Sequence, residues 1–402
     1  MAVASQPGAT SAESPRVRAP WDSFLYLATW GFLLYGVGAA TPYLRADLSL
    51  TAFEAGLHAS ALAVGVLAAG LSADRVARWV GANRLPDLAS LVIGAGIALI
   101  AFAPGLPASL TGALLMGLGG GTLGVYVNVR INRSGGQDSR RLFSQANALA
   151  MVTAALAPIS IGLAASELHA WRLALALPVV MYAALAILRP RQADEQRSVR
   201  IPNATLPAAY WFAWLLIALV VSIEFSFVFW GSTVVVQRTG ISSADATLLA
   251  SLFVVGMFLG RAAIGRGFGS RREPRLMIVA GLAVALTGAC LVWVSTVPVL
   301  SGFGLFLGGL GTAGLYPVAI AVALQAAPKA PFEAAARATL ASGLSVLLAP
   351  SSLGLAADGF GIVGAWGIIP GLALASLVVI AISPARPRAE EPGRRSAATD
   401  RQ

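Results

Sequence analysis

Charge is what this chain has least of. Only 11% of its 402 residues are Asp, Glu, Lys or Arg, whereas a soluble domain carries about 25%. So few charges cannot coat a water-facing surface, which excludes an ordinary soluble enzyme or binding module. Cysteine occurs once, as Cys290, so neither an intrachain disulfide nor a cysteine-based metal cluster can form. The two histidines, His58 and His169, stand too far apart to suggest a metal site. No metal and no cofactor is expected. The apolar segments hold no His–Asp or Ser–His cluster, which speaks against a membrane-embedded enzyme, and the termini are too short for the signalling domain of a sensor.

What is abundant is apolar sequence, at 57% of the chain. In lipid every backbone polar group must be satisfied internally, and a helix needs about 20 residues to cross the hydrocarbon. The apolar runs have that length. They are rich in Ala, Leu, Val and Gly and show no strand-like alternation, so they read as helices. We place them near 22–44, 54–72, 86–103, 108–128, 143–165 and 171–188, and again near 209–236, 246–266, 275–295, 300–324, 334–357 and 362–383. The expected fold is therefore an all-α integral membrane protein, with twelve transmembrane helices in two pseudo-symmetric six-helix bundles. The first bundle spans 21–188 and the second 208–383, joined by a charged linker at 189–207. Polar ends at 1–20 and 384–402 read as disordered, and the first end lacks the apolar core of a signal peptide. Glycine, with 43 residues, costs a soluble helix roughly 0.5–1 kcal/mol at each interior position. Between membrane helices it permits close approach.

The loops alternate in charge. With the N-terminus placed in the cytoplasm, 25 of the 28 Lys and Arg residues fall on the cytoplasmic side; only Arg45, Arg172 and Arg238 fall outside. The positive-inside rule then sets both termini in the cytoplasm of a plasma (inner) membrane. It also accounts for the net charge of +10 without a nucleic-acid partner, since cationic loops suit an anionic leaflet. The halves repeat. At an offset of 192 residues, Gly112, Gly117 and Gly119 align with Gly304, Gly309 and Gly311, and Ala157-Pro158 with Ala349-Pro350. A constant offset over two neighbouring spans argues for one duplicated unit.

After the second span stands Gly70-Leu-Ser-Ala-Asp74-Arg75-Val-Ala77-Arg78. With the span count, the mid-loop and the repeat, this resembles the major facilitator superfamily. That family's loop motif is matched at Gly70, Asp74, Arg75 and Arg78, with Ala77 where Gly is usual. The resemblance implies a transporter working by alternating access, and a cytoplasmic latch formed by those four residues. The second-half counterpart, Gly260-Arg261 and Gly265-Arg266, lacks the Asp. The fourth span lacks the membrane Arg that the family links to proton coupling, and the antiporter motif of the fifth span survives only as Ala157-Pro158-Ile-Ser-Ile-Gly162.

Ionisable groups inside a bilayer are expensive and mark function. Glu224 lies about 15 residues, or ~23 Å, into the seventh span, near the midplane, where burial favours a protonated carboxyl. It is the expected proton-coupling residue. Phe229 and Trp230 follow it, and the Glu224-x5-Trp230 spacing is similar to that of some proton-linked sugar transporters of the superfamily. Tyr35, Tyr126, Asn128, Asn147, Tyr316 and Ser342 are further candidates to line a substrate cavity, and Pro158, Pro317 and Pro350 candidates to kink helices. Each of these more commonly serves packing or helix–helix bonding. The expected partners are a small organic solute, protons and the lipid bilayer, with the chain acting as a monomer. Export is the expected direction; the alternative is proton-linked uptake of a sugar or organic acid.

Overall fold

A computed structural model describes residues 21–81, 83–135, 139–189, 206–265, 273–328 and 330–383. The expected disordered ends and most of the linker lie outside those residues. Among the described residues thirteen helices follow one another: α1 Trp21–Leu48, α2 Ala52–Val80, α3 Leu85–Ala101, α4 Leu106–Gly135, α5 Ser139–Glu167, α6 Arg172–Leu188, α7 Ala208–Thr239, α8 Ser243–Gly265, α9 Pro274–Val294, α10 Pro298–Thr312, α11 Leu315–Ala326, α12 Pro331–Ala365 and α13 Ile368–Ile382. Among the described residues there is no strand, and nine segments are long and apolar enough to cross a membrane. Three shorter apolar helices, α3, α6 and α13, stand where the third, sixth and twelfth spans are expected.

Two spans bend. The tenth is interrupted over two residues: α10 ends at Thr312 and α11 begins at Leu315, while Ala313 and Gly314 between them stay in the right-handed helical region. Pro317 has no N–H for the Ala313 carbonyl and its ring crowds that turn, so the helix yields there. Near the end of α12, Gly361 adopts φ 75°, a left-handed conformation open to glycine, and the eleventh span ends before the twelfth begins. Pro158 and Pro350 lie inside continuous helices, α5 and α12.

The repeat reappears as packing. A Cβ on Gly96 would fall 2.5 Å from the Gly112 carbonyl oxygen, and one on Gly112 would fall 2.6 Å from that of Gly96. The same pair recurs 192 residues later, where a Cβ on Gly288 would meet the Gly304 oxygen at 2.5 Å and one on Gly304 the Gly288 oxygen at 2.9 Å. Backbone thus lies on backbone between α3 and α4 and again between α9 and α10, and only glycine allows that approach. Contacts between the halves run through α2 with α12, α5 with α8 and α1 with α7.

Candidate functional site

Glu224 sits halfway along α7 and is 7% exposed. The Tyr35 hydroxyl, from α1, donates to its Oε1 at 2.7 Å and lies 3.5 Å from the Met257 Sδ of α8. α1 reaches α7 because Gly38 lies against the Val228 backbone. A hydrogen bond contributes about 0.5–1.5 kcal/mol between neutral partners and about 1.5–3 to an ionised one, so in either form this contact ties the first half to the second. Tyr316 of α11 shares the neighbourhood, with the Ser342 hydroxyl of α12 beside it. Four expected residues, Tyr35, Glu224, Tyr316 and Ser342, are therefore brought together from four helices.

Arg261 joins them. From the sequence it counts as a loop-side topology charge, yet it is half-buried on α8, and both it and Glu224 act electrostatically on the Tyr35 and Tyr316 hydroxyls. Its Nε donates to the Ala313 carbonyl at 3.3 Å and its NH1 reaches the Met151 Sδ of α5 at 2.9 Å. The Ala313 oxygen is the acceptor that Pro317 leaves without a helical donor. Gly260 lets α8 come close to that turn, since a Cβ there would fall 2.5 Å from the Ala313 Cβ. The bend in the tenth span and the arginine therefore belong to one arrangement.

The other expected residues lie elsewhere. Phe229 and Trp230 are buried in packing, and the Trp230 indole donates to the Pro350 carbonyl at 2.9 Å. Phe227 packs against Phe253 and Trp366. The Asn147 amide bonds its own helix at Phe143, and both Asn128 and Asn147 are exposed. Tyr126 belongs to a separate buried cluster with Tyr26 and Arg130.

That cluster holds charges the sequence assigns to loops and helix ends. Arg130 pairs with Asp22 at 3.0 Å, with both side chains under 10% exposed. Arg189 pairs with Asp87 at 2.6 Å. Burial alone would lower the Arg189 pKa, but the hydrogen bonds and charge of Asp87 outweigh it and leave it raised. Of the loop motif, Arg75 and Arg78 are exposed, and a Cβ on Gly70 would meet nothing within 4 Å. Among the described residues no neighbouring helix packs on Gly70 in this conformation. The Asp74 side chain lies outside what is described.

At the opposite, arginine-poor end α2 and α12 are tied by a residue the sequence did not single out. Asp358 of α12 accepts from the backbone N–H groups of Ala52 at 2.7 Å and Phe53 at 2.8 Å. Thr51 and Glu54 form a reciprocal capping box on the same turn. All four orphan donors at the start of α2 are thereby satisfied, two of them by the other half of the molecule. Tyr43 adds a bond from α1 to Thr247 of α8 at 3.1 Å.

Residues 23–329 match the family model described as Major Facilitator Superfamily. A search of curated protein sequences returned no match. Among solved structures, a variant of the nucleoside transporter NupG aligns with TM-score 0.73 and 15% identity over 90% of this chain and 97% of that one. A variant of the peptide transporter POT aligns with TM-score 0.72 and 18% identity, covering 90% and 93%. A bacterial homologue of the human lysosomal transporter Spinster, inward-facing and occupied, aligns with TM-score 0.69 and 14% identity, covering 90% and 94%. At such identities the likeness speaks for the fold. The family match covers most of the chain, and with it the chain belongs to the Major Facilitator Superfamily, a family of membrane transporters.

Proposed function

We propose that this protein is a proton-coupled secondary transporter that exports a small organic solute by alternating access. Two rigid bodies, 21–188 and 208–383, rock about the midplane, with 189–207 as the cytoplasmic linker and both termini in the cytoplasm of the inner membrane. Glu224 carries the proton. The observation that carries the reading is the Tyr35–Glu224 hydrogen bond between α1 and α7. A carboxyl that gains or loses a proton changes what it offers to the Tyr35 hydroxyl, and so alters a tie between the two bodies. The Asp358 contact between α2 and α12 supports the same cycle, since it must break for those helices to part at the outer face. Gly70, Asp74, Arg75 and Arg78 would form the latch on the opposite face, and Pro158, Pro317 and Pro350 the bends that let helices flex. One chain suffices, because the site is assembled within it.

The test begins with a solute panel. Nucleosides, dipeptides, sugars and organic acids are screened by thermal unfolding of the purified protein, because a ligand that binds the folded state raises its apparent stability. The binding solute is then followed in proteoliposomes of known orientation under an imposed pH gradient. Glu224→Gln is expected to abolish the response to the gradient, and Tyr35→Phe to weaken it. Transport by Glu224→Gln with an unchanged proton dependence would remove Glu224 from the mechanism.

A further inference from the structure

Arginines in this protein come with acids where they are buried. Arg130 has Asp22, Arg189 has Asp87, and the partly exposed Arg337 has Glu333. Half-buried arginines need not: Arg45, Arg238 and Arg275 rest on backbone carbonyls near helix ends, and Arg261 does so as well, but in the company of Glu224 and two tyrosines. Among the described residues it enters none of the four ion pairs, although it is half-buried on α8, four residues short of that helix's end. Its hydrogen bonds go to a carbonyl and a thioether. Neither carries charge, the carbonyl bond is long, and sulfur is a weak acceptor. A guanidinium in such surroundings is costly unless an anion joins it.

The neighbouring groups suit an anion. The Tyr35 and Tyr316 hydroxyls share the site, and O–H groups donate well to carboxylate oxygens. The acid that shares the site, Glu224, is engaged by Tyr35 and does not form an ion pair with Arg261. A planar guanidinium binds a carboxylate by two parallel N–H···O bonds, and the two contacts it makes now are ones a carboxylate could displace.

We propose that Arg261 anchors a carboxylate group of the transported solute, so that the substrates are small organic acids in anionic form. The proposal rests on the reading of the Tyr35–Glu224 neighbourhood as the transport site, and it supplies a charge balance. Empty, with Glu224 ionised, the site holds one positive and one negative group. Loaded, with a proton on Glu224 and an acid on Arg261, it again holds one of each, so acid and proton leave together and export runs down the acid's own gradient. Neither state carries net charge through the bilayer, so neither is penalised by the hydrocarbon or by the membrane potential.

The test is thermal unfolding of the purified full chain in detergent with benzoate, lactate and succinate, each beside its uncharged amide. At least one acid is expected to raise the unfolding temperature while its amide does not. Arg261→Gln should weaken that acid by about tenfold or more, the worth of a charge-assisted bond, and Arg261→Lys by less. If no acid shifts the transition, if acid and amide act alike, or if Arg261→Gln binds the acid as the unaltered protein does, the proposal fails. The comparison of acid with amide needs no variant and stands even where Arg261→Gln misfolds. No gradient is imposed, so acid binding without proton-driven transport would count against the coupling role of Glu224 alone. Proton-driven transport of an uncharged solute would count against the role of Arg261 alone.

Discussion

Removing the Asp358 carboxylate should loosen the arginine-poor end of the protein. Asp358→Ala deletes two acceptor contacts, at 2.7 and 2.8 Å, from the first turn of α2. The residue is exposed, so water takes over part of their work, and the effect is scaled to a lost N-cap, about 0.5–2 kcal/mol. Taking about 1.5 kcal/mol, the ratio of closed to open outer ends changes by about tenfold. Asp358→Asn keeps one acceptor oxygen and loses the charge, and should give an intermediate shift. The readout is a single cysteine at Ser351, a buried position on α12 beside Gly56 of α2, in a Cys290→Ser background. A membrane-impermeant maleimide added from the arginine-poor face reacts only when α2 and α12 separate. Its labelling rate should rise about tenfold with Asp358→Ala, in proportion to the open fraction. An unchanged rate in protein that remains monodisperse would show that this contact does not hold the end shut. In chain that keeps its native Cys290, labelling there controls for general loosening; a parallel rise would mean the fold, not the gate, had been disturbed.

Other substitutions probe packing and charge. Gly96→Val and Gly288→Val force side chains into backbone on backbone contacts, and each should cost about 1–3 kcal/mol of stability by overpacking. Gly70→Ala, with open space around it in the interior of α2, should raise the unfolding temperature slightly, through about 0.5–1 kcal/mol of added stability. Asp87→Asn strands the Arg189 guanidinium, whose side chain is 1% exposed. Discounted for the partial exposure of Asp87, the loss should be about 2 kcal/mol, seen as a lower unfolding temperature in detergent. Asp74→Ala should shift the balance of inward and outward accessibility of cysteines placed in the loops; an unaltered balance would deprive the loop motif of its latch role.

The parts of this protein that could be read along the chain are those set by local composition and spacing. Charge scarcity and the length of the apolar runs gave the helices, because lipid leaves a spanning backbone few alternatives. The offset of 192 residues foretold the paired glycine contacts at 96/112 and 288/304, because a duplicated unit keeps its packing partners. Glu224 stood out because an acid in mid-span is conspicuous, and Pro317 because it cannot continue a helix. Partners could not be read this way. Tyr35 and Glu224 lie 189 residues apart, and Ala52 and Asp358 306. Whether two such groups meet depends on how each helix is rotated and where the helices cross. For the same reason Arg130, Arg189 and Arg261 passed for loop charges. A count of positive residues records the end of the membrane nearest to each, while a long side chain reaches back along its helix. The sequence by itself determined a helical membrane protein with two related halves. Only the tertiary structure decided that one arginine would turn to the Ala313 carbonyl and not to a carboxylate, because that depends on Pro317 freeing that carbonyl and on Gly260 letting α8 approach it.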